Sequence, residues 1–205
     1  MNKTRPALLL ATSNRGKLRE YKSLLRGIPY RLVTLAGLGI TTEVEEAGGS
    51  FEENARLKAT TLAAASGLLS LADDSGLEVD ALGGEPGPLS RRYAGEGASD
   101  AERIDYLLAK LNNVPEAERT ARFRCVIAIA GPEGLAGLFS GECRGLIITT
   151  PRGKHGFGYD PIFYLPELGK TMAELTPEEK NRVSHRAAAA RKARELLVKL
   201  GGPSL

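Results

Sequence analysis

The chain has 205 residues, 28 basic and 25 acidic side chains, a net charge of only +3 and 42% hydrophobic residues. That mix suits one globular domain with a real core, spanning residues 1–205, and the near balance of charge speaks against a general nucleic-acid binder. No apolar run approaches the roughly 18–20 residues of a membrane span, and the only cysteines, Cys125 and Cys143, lack C-x-x-C spacing, which reads as a reduced cytosolic protein.

Ala7 to Thr12 is an apolar run closed by polar residues. It predicts a buried first strand rather than a signal peptide, because Ser13, Asn14, Arg15 and Lys17 follow at once. Arg15 to Leu25 predicts an amphipathic helix with Leu18, Tyr21, Leu24 and Leu25 on one face. Tyr30 to Leu35 predicts a second strand, and an acidic loop runs to Gly49. Ser50 predicts the cap of a helix reaching Ser66, with Glu53 as its box partner. Leu68 to Asp73 predicts a strand and Leu77 to Ala81 a separate one. After the Gly/Pro-rich segment 83–97, Ser99 to Leu111 predicts a helix. Thr120 to Ala130 and Leu135 to Ile148 predict a hairpin turning at GPEG. A second Gly-rich loop covers 151–161, and a final helix runs from Arg182 to Leu200 before Gly201 and Gly202. Strands alternating with helices predict a mixed α/β fold with helices covering a sheet.

Charge is segregated along the chain. Residues 43–53 hold five acids and no base, residues 73–80 four acids and no base, and residues 180–199 seven bases against Glu195 alone. Separate clusters of this kind suit a metal ion with a polyanionic small molecule, although solvated helix faces produce the same pattern.

Three stretches carry candidate chemistry. In ATSNRGKLREY, 11–21, a strand passes through a polar turn into a helix whose free N–H groups and positive dipole end suit phosphate. An ordinary N-cap followed by a solvated Lys17 fits as well. In SLADDSGLEVDALGGEPG, 70–87, Asp73 and Asp74 close an apolar run. Alternation along a strand sends the two carboxylates to opposite faces, so one can serve a Mg²⁺ site while the other finds a structural partner. An Asx-turn that ends the strand is the competing reading. In GKHGFGYDPIF, 153–163, Phe157 lies between glycines and can offer a ring face to a purine, with Asp160 as an acceptor. In NRVSHRAAAARK, 181–192, Ser184, His185 and Arg186 open a helix, and Arg186 can donate to a base carbonyl. A core anchor for Phe157 and a surface position for His185 are the plain alternatives. The G-x-S-x-G elbow of a serine hydrolase is missing, and two Cys and two His at scattered positions make no zinc site.

Taken together and in order, ATSNRGK, FEENARLKA, ADDSGLEVDALGGEPG, GFGYDPIF and LTPEEKNRVSHR resemble the inosine triphosphate pyrophosphatases, also called dITP/XTP pyrophosphatases, over nearly the whole chain. The resemblance implies a long mixed central β-sheet flanked by helices, in two lobes with the active site in the groove between them. It implies a Mg²⁺-dependent cytoplasmic homodimer that hydrolyses non-standard purine triphosphates (ITP, dITP and XTP) to the monophosphate and pyrophosphate. Such an enzyme cleanses the nucleotide pool and has neither a membrane nor a stable nucleic-acid partner. By motif, Thr12, Ser13, Asn14, Arg15, Gly16 and Lys17 resemble the phosphate-binding segment. Asp74 resembles the proton acceptor and metal ligand, with Ser75 touching substrate, and Glu45 of EEAG, with Glu46 as the alternative, resembles the second metal ligand. Lys58, Phe157, Gly158, Tyr159, Asp160, Lys180, His185 and Arg186 resemble the remaining substrate contacts, with residues 157–160 as the base-binding loop. The stretch PGPLSRRY departs from the PG-x-YSARY of many relatives and leaves Arg91 and Arg92 without an assigned role. A pyrophosphatase for modified pyrimidine triphosphates is the nearest rival. A non-catalytic nucleotide- or RNA-binding module is a more distant one, because unscreened acidic clusters repel phosphates.

Overall fold

The computed structural model describes residues 5–42, 44 and 49–201. In chain order the elements are β1 (Ala7–Leu10), α1 (Arg15–Leu24), β2 (Arg31–Thr34), α2 (Phe51–Ser66), β3 (Leu69–Val79), α3 (Asp100–Lys110), β4 (Thr120–Gly131), β5 (Gly134–Ile147), β6 (Phe163–Leu165), β7 (Lys170–Thr171), α4 (Pro177–Val183) and α5 (His185–Gly201). Seven strands form one sheet in the order β2-β1-β3-β4-β5-β6-β7. β1 runs parallel to β2 and β3, and β6 runs antiparallel to β5 and β7, so the sheet is mixed and the fold is α/β as predicted. Among the described residues no helix is long and apolar enough to cross a membrane.

The chain divides into two compact units. One holds the chain up to Asp74, Cys125–Gly141 and the chain from Ala188; the other holds Ser75–Arg124 and Glu142–Ala187. In the first unit the period-two alternation of the strands builds two cores. Leu8, Leu10, Leu71, Cys125, Ile127 and Ile129 pack with Tyr21 and Leu25 of the α1 segment and with Ala189, Ala193 and Leu197 of α5. Their neighbours Leu9, Ala72, Val126, Ala128 and Ala130 pack instead with Phe51, Ala55, Ala59 and Leu62 of α2. Small residues on α2 let the helix lie close to the strands. The second unit has its own core, in which Leu77, Val79, Phe123 and Ile147 meet Ile104 and Leu107 of α3, together with Tyr159, Phe163 and Met172.

Two predicted boundaries change, and two short strands are new. β3 runs without a break from Leu69 to Val79, so Asp73 and Asp74 lie inside a strand and no Asx-turn separates two short ones. The acids stay extended because each face of the strand offers its carboxylate a partner, as described below. The final helix is two helices. Extended backbone at Ser184, with φ −70° and ψ 155°, ends α4, and the Ser184 hydroxyl then accepts from Ala187 N–H at 3.2 Å at the start of α5. β6 and β7, of 3 and 2 residues, are too short for any periodicity to announce. Ser50 caps α2 as predicted, accepting from Glu53 N–H at 3.2 Å.

Candidate active site

In the first unit, the parallel ladder between β1 and β3 ends where Ala11 N–H donates to Leu71 C=O at 2.8 Å. Carbonyls two residues apart on a strand point to the same edge, so Asp73 C=O faces that edge after the neighbouring strand has stopped. Two lysines supply the missing donors. Lys58 Nζ of α2 lies 2.8 Å from Asp73 O, and Lys17 Nζ of α1 lies 3.5 Å from it. α1 and α2 pack on opposite faces of the strands, so the two ammonium groups reach one carbonyl from two sides.

The carboxylates separate as alternation requires. Asp73 Oδ2 turns to the α1 face, 3.0 Å from Lys17 Nζ and 3.8 Å from Cys125 Sγ. Asp74 turns to the α2 face, where Asn54 Nδ2 donates to Oδ2 at 2.9 Å and Lys58 Nζ lies 3.5 Å from Oδ1. Asn54 and Lys58 are one helical turn apart and so share a face of α2. Both aspartates are buried, at 2% and 4% exposure. Burial makes each carboxylate depend on its cation, and removing one partner of such a pair costs about 3–5 kcal/mol.

The turn before α1 is more self-contained than predicted. The Asn14 side chain accepts from Gly16 N–H at 2.8 Å and Lys17 N–H at 3.0 Å, and Thr12 Oγ1 accepts from Asn14 N–H at 3.2 Å. Asn14 is therefore the N-cap, while Ser13 and Arg15 are exposed and Gly16 is buried. Glu45 and Glu46 lie outside the described residues.

The second unit gathers most of the other predicted residues. Phe157 is partly exposed, with Lys180 Nζ 5.0 Å and the Arg186 guanidinium carbon 5.6 Å from its ring centre. Asp160 Oδ2 accepts from Phe157 N–H at 2.9 Å and from Lys180 Nζ at 2.5 Å. Gly156 has φ +81°, and a Cβ there would collide with the Asp160 carboxylate, so the loop requires glycine at this position. Arg186, 1% exposed, donates to Ser75 Oγ at 2.7 Å, and Ser75 is the residue after Asp74. His185 stacks on Phe123, ring centres 4.8 Å apart and planes 19° apart, which makes it a buried residue rather than a surface one. Burial pushes the Tyr159 phenol well above its ordinary range, and its hydroxyl donates to Ser90 C=O at 3.0 Å.

Sequence reasoning missed Asn54, Cys125 and Phe123. Asn54 was within reach, since it stands four residues before Lys58 on the same helix. Cys125 and Phe123 meet their partners only through strand order, which no local pattern encodes.

The donor set in the first unit is compatible with Mg²⁺. Among the described residues no group of three His, Cys, Asp or Glu could hold a metal ion. Mg²⁺ asks for less, since one or two carboxylates are completed by waters and substrate phosphates. Asp74 offers hard oxygen donors on a fixed strand.

Comparisons with known proteins agree with one another. The chain is 54% identical over 182 residues to a protein of Geobacter sulfurreducens named dITP/XTP pyrophosphatase, covering 89% of this chain and 92% of that one. It is 47% identical over 189 residues to the protein of that name in Bacillus subtilis, covering 92% and 96%. A HAM1 protein from Coxiella burnetii superposes with a TM-score of 0.86 at 42% identity, covering 95% of this chain and 99% of that one. The Ham1 protein of Staphylococcus aureus gives 0.84 at 43% identity, with the same coverage. The sequence pattern of the Ham1 family matches residues 8–196, and the chain belongs to that family.

Proposed function

We propose that this protein hydrolyses ITP, dITP and XTP to the nucleoside monophosphate and pyrophosphate, as a Mg²⁺-dependent homodimer of the cytoplasm. The observation that carries the reading is the buried Asp74 on β3, held by Asn54 and Lys58, in a chain whose relatives are named dITP/XTP pyrophosphatases. Cys125 and Cys143 stand as thiols with no disulfide between them, which suits a reducing compartment.

Asp74, together with Glu45, would hold the metal. When bound, the ion supplies neutralisation of the triphosphate charge. Asp74 orients a water and takes its proton as the oxygen attacks the α-phosphorus. The bond from that phosphorus to the bridging oxygen breaks, and pyrophosphate leaves. Lys17 and Lys58, already drawn together on Asp73 C=O, hold positive charge in place before substrate arrives. Fixed charge of this kind lowers a barrier because it needs no rearrangement during the reaction. Asn54 keeps the Asp74 carboxylate from turning.

The purine belongs to the second unit. Phe157 offers a ring face, and Arg186 donates to the 6-oxo group that inosine and xanthosine carry and adenosine lacks. Lys180 and Asp160 hold the Phe157 loop in shape. A reader built from hydrogen bonds rejects the wrong base strongly, because its own buried groups are then left unmatched. The test is a pyrophosphate-release panel over ITP, dITP, XTP, GTP, ATP and dTTP with and without Mg²⁺. The reading expects release from the first three only when Mg²⁺ is present. Preference for dTTP would favour the pyrimidine rival. Nucleotide binding in EDTA without any pyrophosphate on adding Mg²⁺ would favour a binding module.

A further inference from the structure

We infer that Asp100, fixed by Arg103, is a positioning residue for purine recognition, an assignment that rests on the base-binding reading of the Phe157 loop. The inference begins at the N-terminus of α3. Ser99 Oγ accepts from Glu102 N–H at 3.2 Å, and Glu102 Oε2 accepts from Ser99 N–H at 2.7 Å, so a complete capping box holds this helix start. The Asp100 carboxylate, at the first helical position, is not needed for that cap.

Its work lies 58 residues away: Asp100 Oδ2 accepts from Gly158 N–H at 2.7 Å. Its other oxygen pairs with the Arg103 guanidinium. The same guanidinium donates to Arg91 C=O at 2.9 Å and to Ala98 C=O. Three consecutive loop residues are thus tied down one by one. Phe157 N–H goes to Asp160, Gly158 N–H to Asp100, and the Tyr159 hydroxyl to Ser90 C=O. Ser90 is itself fixed, its hydroxyl donating to Gly87 C=O at 2.6 Å and accepting from Leu77 N–H at 2.9 Å.

The middle tie matters most, because Gly158 sits at φ +62° and glycine roams more backbone space than any other residue. Without Asp100, the Phe157 ring loses its hold on one side. Segment 87–98 therefore contributes through backbone carbonyls, and the Arg103 guanidinium that fixes Asp100 is its anchor, which gives Arg91 a role through its C=O.

The experiment compares wild type with Asp100→Ala, using ITP turnover, inhibition by IMP and by pyrophosphate, and hydrogen exchange of the peptide 153–163. In Asp100→Ala, KM for ITP and the inhibition constant of IMP both rise roughly 10-fold, the scale of a lost charge-assisted contact. kcat stays within about twofold, pyrophosphate inhibition does not move, and amides 157–159 exchange faster. Asp100→Asn, which keeps an acceptor for Gly158 N–H, falls between the two. If Asp100→Ala fails to fold, Arg103→Met probes the same tie and gives the same split. Unchanged IMP inhibition with unchanged exchange overturns the inference, and so does equal weakening of IMP and pyrophosphate. Wild type that neither turns over ITP nor binds IMP overturns the base-binding reading instead, whatever the exchange data say.

Discussion

Asp73–Asp74 and Phe157–Asp160 are both short runs dense in predicted function, and the molecule fixes them by opposite means. The aspartates sit in a regular strand, where period-two geometry alone decides which carboxylate faces which helix. The Phe157 loop has no such ladder. Its shape depends on groups from distant positions (the Asp100 carboxylate, the Ser90 carbonyl and the Lys180 ammonium), each satisfying one group. Regular structure sets which way each carboxylate faces and so which helix must supply its partner, while irregular structure holds the aromatic one only as long as its separate ties hold.

Substitution can break this comparison most sharply at β3. Asp74→Asn should lose at least ~10²-fold in kcat with KM nearly unchanged, the scale of a missing general base. Asp73→Asn should lose only about 10-fold, because it weakens the hold on Lys17 without removing a reacting group. Steady-state pyrophosphate release from ITP measures both. Equal losses in the two variants would mean that the two faces of the strand are not chemically distinct.

A smaller effect belongs to the loop. Gly156→Ala puts a methyl group against the Asp160 carboxylate at φ +81°. It should raise KM for ITP severalfold, on the order of the ~1–3 kcal/mol that a strained backbone position costs, and lower Tm by a few degrees. A KM equal to wild type would show that the loop adjusts freely.

The smallest effect is a pH dependence. Burial pushes the Cys143 thiol up to about 11 from an ordinary value of 9.0. The folded state favours the protonated thiol, so its contribution is complete below pH 9 and is lost as pH rises toward about 11. Thermal melts of wild type should fall more steeply across that window than those of Cys143→Ala. Identical slopes would leave Cys143 outside the pH response.

The same contrast explains what could be read from the sequence. Alternation and helical periodicity gave β1, β2, β4 and β5, the helix carrying Lys58 and the opposite facing of Asp73 and Asp74, because those signals are local. The unbroken β3 was missed because a DDSG tetrad looks like a turn when the lysines beside it are unknown. Lys17 as the partner of Asp73 depends on how β1 and β3 pair. Asp100 was invisible for a similar reason: within α3 it looks like one more first-turn acid, and only the fold brings Gly158 to it.

The most direct measurement follows oxygen. ITP is hydrolysed in H₂¹⁸O with Mg²⁺, and the products are separated and weighed by mass spectrometry. Water directed by Asp74 onto the α-phosphorus predicts one ¹⁸O in IMP and none in pyrophosphate. Label in pyrophosphate, or inosine diphosphate with labelled phosphate, would contradict the account.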